Sequence, residues 1–144
     1  MKKILVIGYG NRLRGDDGAG ILAAELIASR HPDIDCMTVH GLSPELAETI
    51  SGYTDVFFLD AAVDLPAPAV TSIAIPQAPA GGGSHASSPQ EVLALCDALY
   101  ATHPARAILV RIPMQSSDFS EQCTPFTQQG IAESVGLVEG LLYN

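Results

Sequence analysis

Apolar and polar positions along the chain predict alternating strands and helices. Short apolar runs bounded by glycine, proline or charged residues are typical of buried strands, and apolar positions three or four residues apart are typical of helices. Ile21, Leu22, Leu26 and Ile27, for example, fall on one face of a predicted helix. The pattern predicts strands over residues 3–8, 33–40, 55–60, 69–75 and 105–112, and helices over residues 18–30, 44–50, 88–101 and 124–142.

Three of the predicted helices begin at residues that favour a helix start. Ser88 and Glu91 have the spacing of a capping box, in which each side chain accepts a hydrogen bond from the other residue's backbone N–H. Ser-Pro at 43–44 and Thr-Pro at 124–125 each place a capping hydroxyl before a first-turn proline. These signals fix where the second, third and fourth helices should start.

The fourth strand is predicted to run antiparallel to its neighbours. Only residues 61–68, with two prolines, separate it from the third strand, whereas a parallel crossover needs about a dozen residues. The alternation of strands and helices elsewhere predicts an α/β fold, a three-layer α/β/α sandwich in one domain over residues 1–144. Its five-stranded mixed sheet has the expected strand order 2-1-3-5-4, with the fourth strand at an edge.

Composition narrows the possible classes of function. The net charge is −9 with only 7 Lys and Arg residues, whereas nucleic-acid binding requires a basic surface that displaces counterions. The apolar run at 4–7 is too short for a signal peptide, and no run approaches the ~18 apolar residues of a membrane span. Cys36, Cys96 and Cys123 lack a CxxC spacing, so reduced thiols in a cytoplasmic protein are expected.

Candidate site residues follow from the rule that ligands bind at the carboxyl ends of parallel strands. Asp17 ends the loop after the first strand, and Asp60 ends the third strand. The glycine-rich loop over residues 76–87 could return His85 to the same edge. Two carboxylates and one imidazole suit a divalent transition metal, and three protein ligands leave coordination positions open for a substrate.

Each of these residues also has a purely structural interpretation. Asp17 could be an N-cap or a first-turn carboxylate that interacts with the helix dipole, with Asp16 the better candidate for the N-cap. Asp60 follows four apolar residues, so its carboxylate must be paired or must bind a cation. A histidine such as His85, in a polar loop, is more often simply solvated.

The segment over residues 4–18, Ile-Leu-Val-Ile-Gly-Tyr-Gly-Asn-Arg-Leu-Arg-Gly-Asp-Asp-Gly, closely resembles the opening of the NiFe-hydrogenase maturation endopeptidases. Their signature there is an apolar strand, then G-x-G-N, then an acidic pair and a glycine. The resemblance continues in Phe-Leu-Asp-Ala at 58–61 and in Ser-His-Ala-Ser-Ser-Pro at 84–89, and it covers most of the chain.

The resemblance implies a peptidase that removes the C-terminal extension of a NiFe-hydrogenase large-subunit precursor after nickel insertion. It implies Asp17, Asp60 and His85 as the residues that read the metal, with nickel presented by the substrate and another divalent metal able to occupy the isolated site. Asp16 and Asp17 are the candidate catalytic residues; Asp16 either orients the loop or accepts a proton. The expected protein is a monomer, and no Ser–His or Cys–His nucleophile pair is evident.

Two segments depart from the family pattern. Many members carry an acidic residue and glycines after the second strand, where this chain has His40 and Gly41. His40 could face the site or could simply end the strand. Near the C-terminus, residues 119–125 follow only loosely the family pattern Phe-x-x-Gly-x-x-Leu-Ser-Pro, which bears on the choice of precursor rather than on the metal ligands.

Other classes of protein fit the sequence less well. A receiver-type signalling domain, with Asp60 as phosphoacceptor, needs its acidic pair directly at the end of the first strand and a lysine after the fifth. Here the pair follows a loop, and the fifth strand ends at Arg-Ile-Pro, residues 111–113, with no lysine. A dinucleotide-binding loop would need glycine at Leu13. A metal-binding module without catalytic activity is the remaining alternative.

Overall fold

The computed structural model describes residues 2–74, 88–116, 118–120 and 122–144. A five-stranded sheet has the order β2-β1-β3-β5-β4, with β4 antiparallel to β5 and the other pairs parallel. Both the strand order and the antiparallel fourth strand confirm the prediction. The strands are β1 (Ile4–Tyr9), β2 (Asp35–Val39), β3 (Asp55–Ala62), β4 (Ala69–Ser72) and β5 (Arg106–Pro113).

The helices form layers on both faces of the sheet, which explains the almost uninterrupted apolar strands. One buried cluster joins β1, β3 and β5 to α1 and α4, and a second joins the opposite faces of the same strands to α2 and α3. No helix in the described ranges is long and apolar enough to cross a membrane. The helices are α1 (Ala19–Arg30), α2 (Leu46–Ile50), α3 (Pro89–Tyr100) and α4 (Pro125–Leu141).

Two of the three predicted helix starts carry the expected side-chain caps. Ser88 and Glu91 form the capping box at α3, and Thr124 accepts a hydrogen bond from a backbone N–H in the first turn of α4. The predicted cap at Ser43 is wrong. Its carbonyl accepts a backbone bond from Leu46 N at 3.1 Å, so a turn precedes α2 and the helix begins without a side-chain cap.

Strand ends differ from the predictions by a few residues. β3 and β5 run together to Ala62 and Pro113, because their backbones continue to pair beyond Asp60. β4 ends at Ser72, earlier than predicted. The predicted loop over residues 76–87, with His85, lies outside the described residues.

Candidate active site at the carboxyl ends of the strands

Glycines allow α1 to approach the sheet closely. A Cβ atom on Gly8 would lie 2.2 Å from the Gly20 carbonyl oxygen and 2.7 Å from Ala24 Cβ. A Cβ atom on Gly20 would lie 2.2 Å from the Leu59 carbonyl oxygen. The backbone of α1 therefore packs directly on the backbones of β1 and β3 where the helix begins. This contact places Asp17 near the end of β3.

The loop between β1 and α1 fixes the Asp17 carboxylate. Asn11 N donates to Asp17 Oδ2 at 3.0 Å, so the side chain folds back over its own loop. Gly10 has φ +144°, and a Cβ there would lie 2.1 Å from the Asp17 carbonyl oxygen, so glycine is required. A 3-10 turn over Gly15–Gly18 precedes α1, and the N-cap of α1 is Gly18, which has no side chain to accept a capping bond. The interpretation of Asp16 or Asp17 as N-cap of α1 is therefore wrong.

Three polar side chains form a row across the central strands. Because side chains alternate between the faces of a strand, Tyr9, Asp60 and Arg111 extend the rows of residues that face α2 and α3. Asp60 lies directly opposite Arg111 in the β3–β5 register. The inward residues of these rows are Leu5 and Ile7 on β1, Val56 and Phe58 on β3, and Ala107 and Leu109 on β5.

The surroundings of the Asp60 carboxyl group raise its pKa. Burial, and then the negative charge of Asp17, raise its pKa to about 6, against the lowering effects of the Ala61 N–H, Arg111 and Tyr9. Burial and the Asp60 charge likewise raise the pKa of Tyr9 far above neutrality, so its hydroxyl keeps its proton. Two carboxylates that repel each other in a partly buried site suit a divalent cation, which would stabilise both charges.

The Asp16 carboxylate links the β1–α1 loop to residues 115–124 of the chain. Asp16 is 1% exposed. Its carboxylate accepts hydrogen bonds from the backbone N–H groups of Gln115 and Ser116 at 2.9 Å and of Thr124 at 2.6 Å. Burial alone would raise the pKa of Asp16, but hydrogen bonds from Thr124, Thr127 and the 115–116 backbone lower it to about 2. Such saturated contacts favour the loop-orienting role over the proton-acceptor role.

These bonds predict a contribution of Asp16 to stability that disappears in acid. The folded pKa of about 2 lies below the ordinary 3.8, so the stabilisation is present above pH ~4 and is lost as the pH falls towards 2, about 2 kcal/mol in all. In urea unfolding, we expect Asp16→Asn to be less stable than wild type at pH 7 and to lose less stability between pH 4 and 2. Asp64→Asn, in an exposed turn, is the control; equal stability of Asp16→Asn and wild type at pH 7 would contradict this role.

The structure brings together Asp17 and Asp60 of the three predicted metal ligands. His85 lies outside the described residues, so its place in the site stays a prediction. Within residues 2–74, 88–116, 118–120 and 122–144, no group of three or more His, Cys, Asp or Glu side chains is arranged to hold a metal. His40 is exposed at the end of β2 and lines an open groove of about 380 Å³ with the loop at Gly10 and Asn11.

Sequence reasoning missed Tyr9 and Arg111 as members of this site. The available signal was positional, since both stand at the carboxyl ends of strands that flank the strand of Asp60. Tyr9 occupies the variable position of G-x-G-N and so attracts no attention as a motif residue. Their closeness to Asp60 depends on the register of the strands, which only the folded sheet reveals.

Solved structures with this architecture include several hydrogenase-processing enzymes. The NiFe-hydrogenase maturation protease HybD from Thermococcus kodakarensis superposes with a TM-score of 0.73 at 20% identity, over 96% of this chain and 98% of that one. The hydrogenase maturating endopeptidase HybD from E. coli gives a TM-score of 0.70 at 19% identity, over 97% and 91%. The chain has the maturation-protease fold.

A third structure, the hydrogenase 2 maturation peptidase from a Thaumarchaeota archaeon, shares the maturation-protease fold with a TM-score of 0.72 at 21% identity, over 98% of both chains. No protein-family model and no curated protein matches the sequence. The similarity therefore concerns the fold.

Proposed function

We propose that the chain is an endopeptidase that removes the C-terminal extension of a NiFe-hydrogenase large-subunit precursor after nickel has been inserted. The observation that carries this proposal is the placement of Asp17 and Asp60 at the carboxyl ends of the strands, where the turn over Gly15–Gly18 contacts β3 and the Asp17 charge raises the pKa of Asp60. The maturation-protease fold supports it, because two of the named neighbours are proteases of hydrogenase maturation that extend over nearly the same length.

In this proposal the two carboxylates recognise nickel that the precursor already holds. Asn11 N holds Oδ2 of Asp17 at 3.0 Å, so its other carboxylate oxygen would bind the ion, together with Asp60 at the end of β3, whose pKa the Asp17 charge raises. We assign the third ligand to His85. Carboxylate and imidazole donors suit a divalent transition ion, and a three-ligand site leaves positions for the substrate. The same site would accept another divalent metal in the isolated protein.

The residues of the acidic pair take different roles in this proposal. Asp17 is the residue next to the reacting atoms, where nickel could polarise the scissile carbonyl or activate water. Asp16 is a positioning residue, since its carboxylate is occupied by donors from residues 115–124. We further propose that the enzyme acts in the cytoplasm as a monomer.

The decisive experiment compares nickel-loaded with nickel-free large-subunit precursor. The protein is incubated with each form, and the C-terminus of the precursor is identified by mass spectrometry. We expect cleavage of the loaded precursor alone, and loss of cleavage in Asp17→Ala, Asp60→Ala and His85→Ala. Asp33→Ala, at an exposed position before β2, is the control that should cleave normally.

Two results would overturn the proposed function. The first is failure of the folded wild-type protein to cleave any nickel-loaded precursor. The second is phosphorylation of Asp60 by a small-molecule phosphodonor, which would indicate the receiver-type alternative. Retention of full metal affinity in His85→Ala would remove His85 from the site.

A further inference from the structure

Arg111 is an uncovered charged residue on an interior strand. β5 lies between β3 and β4 in the sheet, and Arg111 is exposed although its neighbours Val110 and Ile112 are buried. The earlier residues on the same face of β5, Ala107 and Leu109, belong to the apolar cluster under α2 and α3. The helical layer therefore stops short of Arg111, whose side chain lies on an open part of the sheet at the carboxyl end of β5.

The strand register places Arg111 at the candidate site. Arg111 lies directly opposite Asp60 on β3, and neighbouring strands are about 4.8 Å apart. Residues that are opposite in a parallel pair project to the same face, so the guanidinium and the carboxylate start from adjacent points on one surface. On its other side Arg111 is opposite Ala69 of β4, whose methyl group is too short to cover it.

The other arginines of the chain have partners of their own. Arg12, Arg30 and Arg106 each form an ion pair with a carboxylate, and Arg14 packs over an aromatic ring at 4.3 Å. Arg111 forms no ion pair within 4.0 Å in the part of the chain that the structure describes. A guanidinium carries five N–H donors, so Arg111 can bind a molecule that enters this open face.

A guanidinium at this position suits the chemistry of peptide hydrolysis. Water adds to the scissile carbonyl carbon, the C–N bond breaks, the leaving amine takes one proton, and the new carboxylic acid releases the other. Negative charge therefore develops on the former carbonyl oxygen and stays on the product carboxylate. Asp17 and Asp60 would repel this charge, whereas the paired donors of an arginine match the two oxygens of a carboxylate.

We propose that Arg111 is a catalytic residue that binds the scissile carbonyl oxygen as it becomes negative, and then the C-terminal carboxylate of the processed large subunit. The inference rests on the proposed function, because it requires that the chain hydrolyses a peptide bond at this end of the sheet. Arg111 keeps its proton throughout. It acts through its positive charge and through the paired N–H donors of its guanidinium.

The first test compares Arg111→Gln and Arg111→Lys in cleavage of the nickel-loaded precursor. Loss of one donor to a developing oxyanion typically lowers kcat by about 100- to 1000-fold, so we expect a fall of at least about 100-fold in Arg111→Gln. Arg111→Lys keeps the charge but lacks the planar pair of donors, so it should recover only part of the rate. Arg30→Gln is the matched control, because Arg30 pairs with Glu139 at the far end of α1, and it should cleave normally.

Product inhibition separates binding of the carboxylate from a general effect on the fold. The processed large subunit carries a charged C-terminal carboxylate, whereas the same oxygen in the precursor belongs to a neutral amide. We expect the processed subunit to inhibit Arg111→Gln about 10-fold more weakly than wild type, while KM for the precursor changes by less than about 2-fold. Equal inhibition of the two proteins, or none of the wild type, would contradict the proposal.

The failures of the two proposals are distinguishable. Cleavage at the wild-type rate by either Arg111 variant would refute the role of Arg111 and leave the proposed function intact. If the folded wild-type protein cleaves no nickel-loaded precursor, both proposals fall together. The expected result is slow cleavage and weak product inhibition in Arg111→Gln, partial recovery in Arg111→Lys, and normal behaviour of Arg30→Gln, with far-UV circular dichroism confirming that each variant is folded.

Discussion

Asp60→Asn is expected to eliminate processing of the nickel-loaded precursor, with a fall in kcat/KM of at least about 100-fold. The amide is nearly the size of the carboxylate, but it lacks the negative charge that binds a cation. The assay is the rate of appearance of the shortened large subunit under substrate-limited conditions. Asp33→Asn, far from the strand ends that carry the site, should retain the wild-type rate.

The same substitution should leave the metal-free protein at least as stable as wild type at pH 7. The pKa of Asp60 is raised to about 6 in the fold, from 3.8. A carboxyl group with a raised pKa favours the folded state in acid, and that advantage is lost as the pH rises from ~4 through ~6. Asp60→Asn removes this pH dependence, which urea unfolding between pH 4 and 8 will measure. Loss of both activity and stability at pH 7 would instead mark Asp60 as a structural residue.

The second large effect is expected at Gly20, where alanine should destabilise the fold by about 3 kcal/mol or more. In an exposed helix, alanine is better than glycine by about 1 kcal/mol. Here the added Cβ would lie 2.2 Å from the Leu59 carbonyl oxygen and 2.8 Å from that of Tyr9, and neither backbone atom can rotate away. Helix α1 must then lift from the sheet, and Asp17 moves away from Asp60 with it.

Gly136→Ala is the matched control for this prediction. Gly136 lies within α4, and an added Cβ there meets nothing within 4 Å. We expect this variant to be equally or slightly more stable than wild type, as helix propensity alone requires. The midpoints of urea unfolding of the two variants should therefore shift in opposite directions, and a stabilised Gly20→Ala would disprove the close contact.

Local sequence predicted the elements of the fold well because their signals are local. Ser88 and Glu91 cap α3 through bonds three residues apart, and the short connection between β3 and β4 excludes a parallel crossover without knowledge of the rest of the chain. Where a predicted cap was wrong, a competing contact prevailed. Ser43 lies in a backbone turn before α2 and does not cap the helix with its side chain. The Asp16 carboxylate binds donors about 100 positions later in the chain and does not cap α1.

The candidate site was predictable only in part, for a related reason. Asp17 and Asp60 stand at strand ends or in a motif, so position and residue type single them out. Tyr9 and Arg111 become site residues through strand register, and Gly20 becomes indispensable through a contact between α1 and β3. Strand register and the contact between α1 and β3 arise from tertiary packing, which a short stretch of sequence does not determine.

The hydrogen bonds to Asp16 depend on residues that the ribosome adds late in synthesis. Its carboxylate accepts bonds from residues 99 to 108 positions later in the chain. The β1–α1 loop therefore lacks its anchor while the ribosome is still making the last quarter of the protein. A nascent chain can pair β1, β2 and β3 before the donors to Asp16 have been made, so we expect the β1–α1 loop to settle only after residues 115–124 have joined the fold.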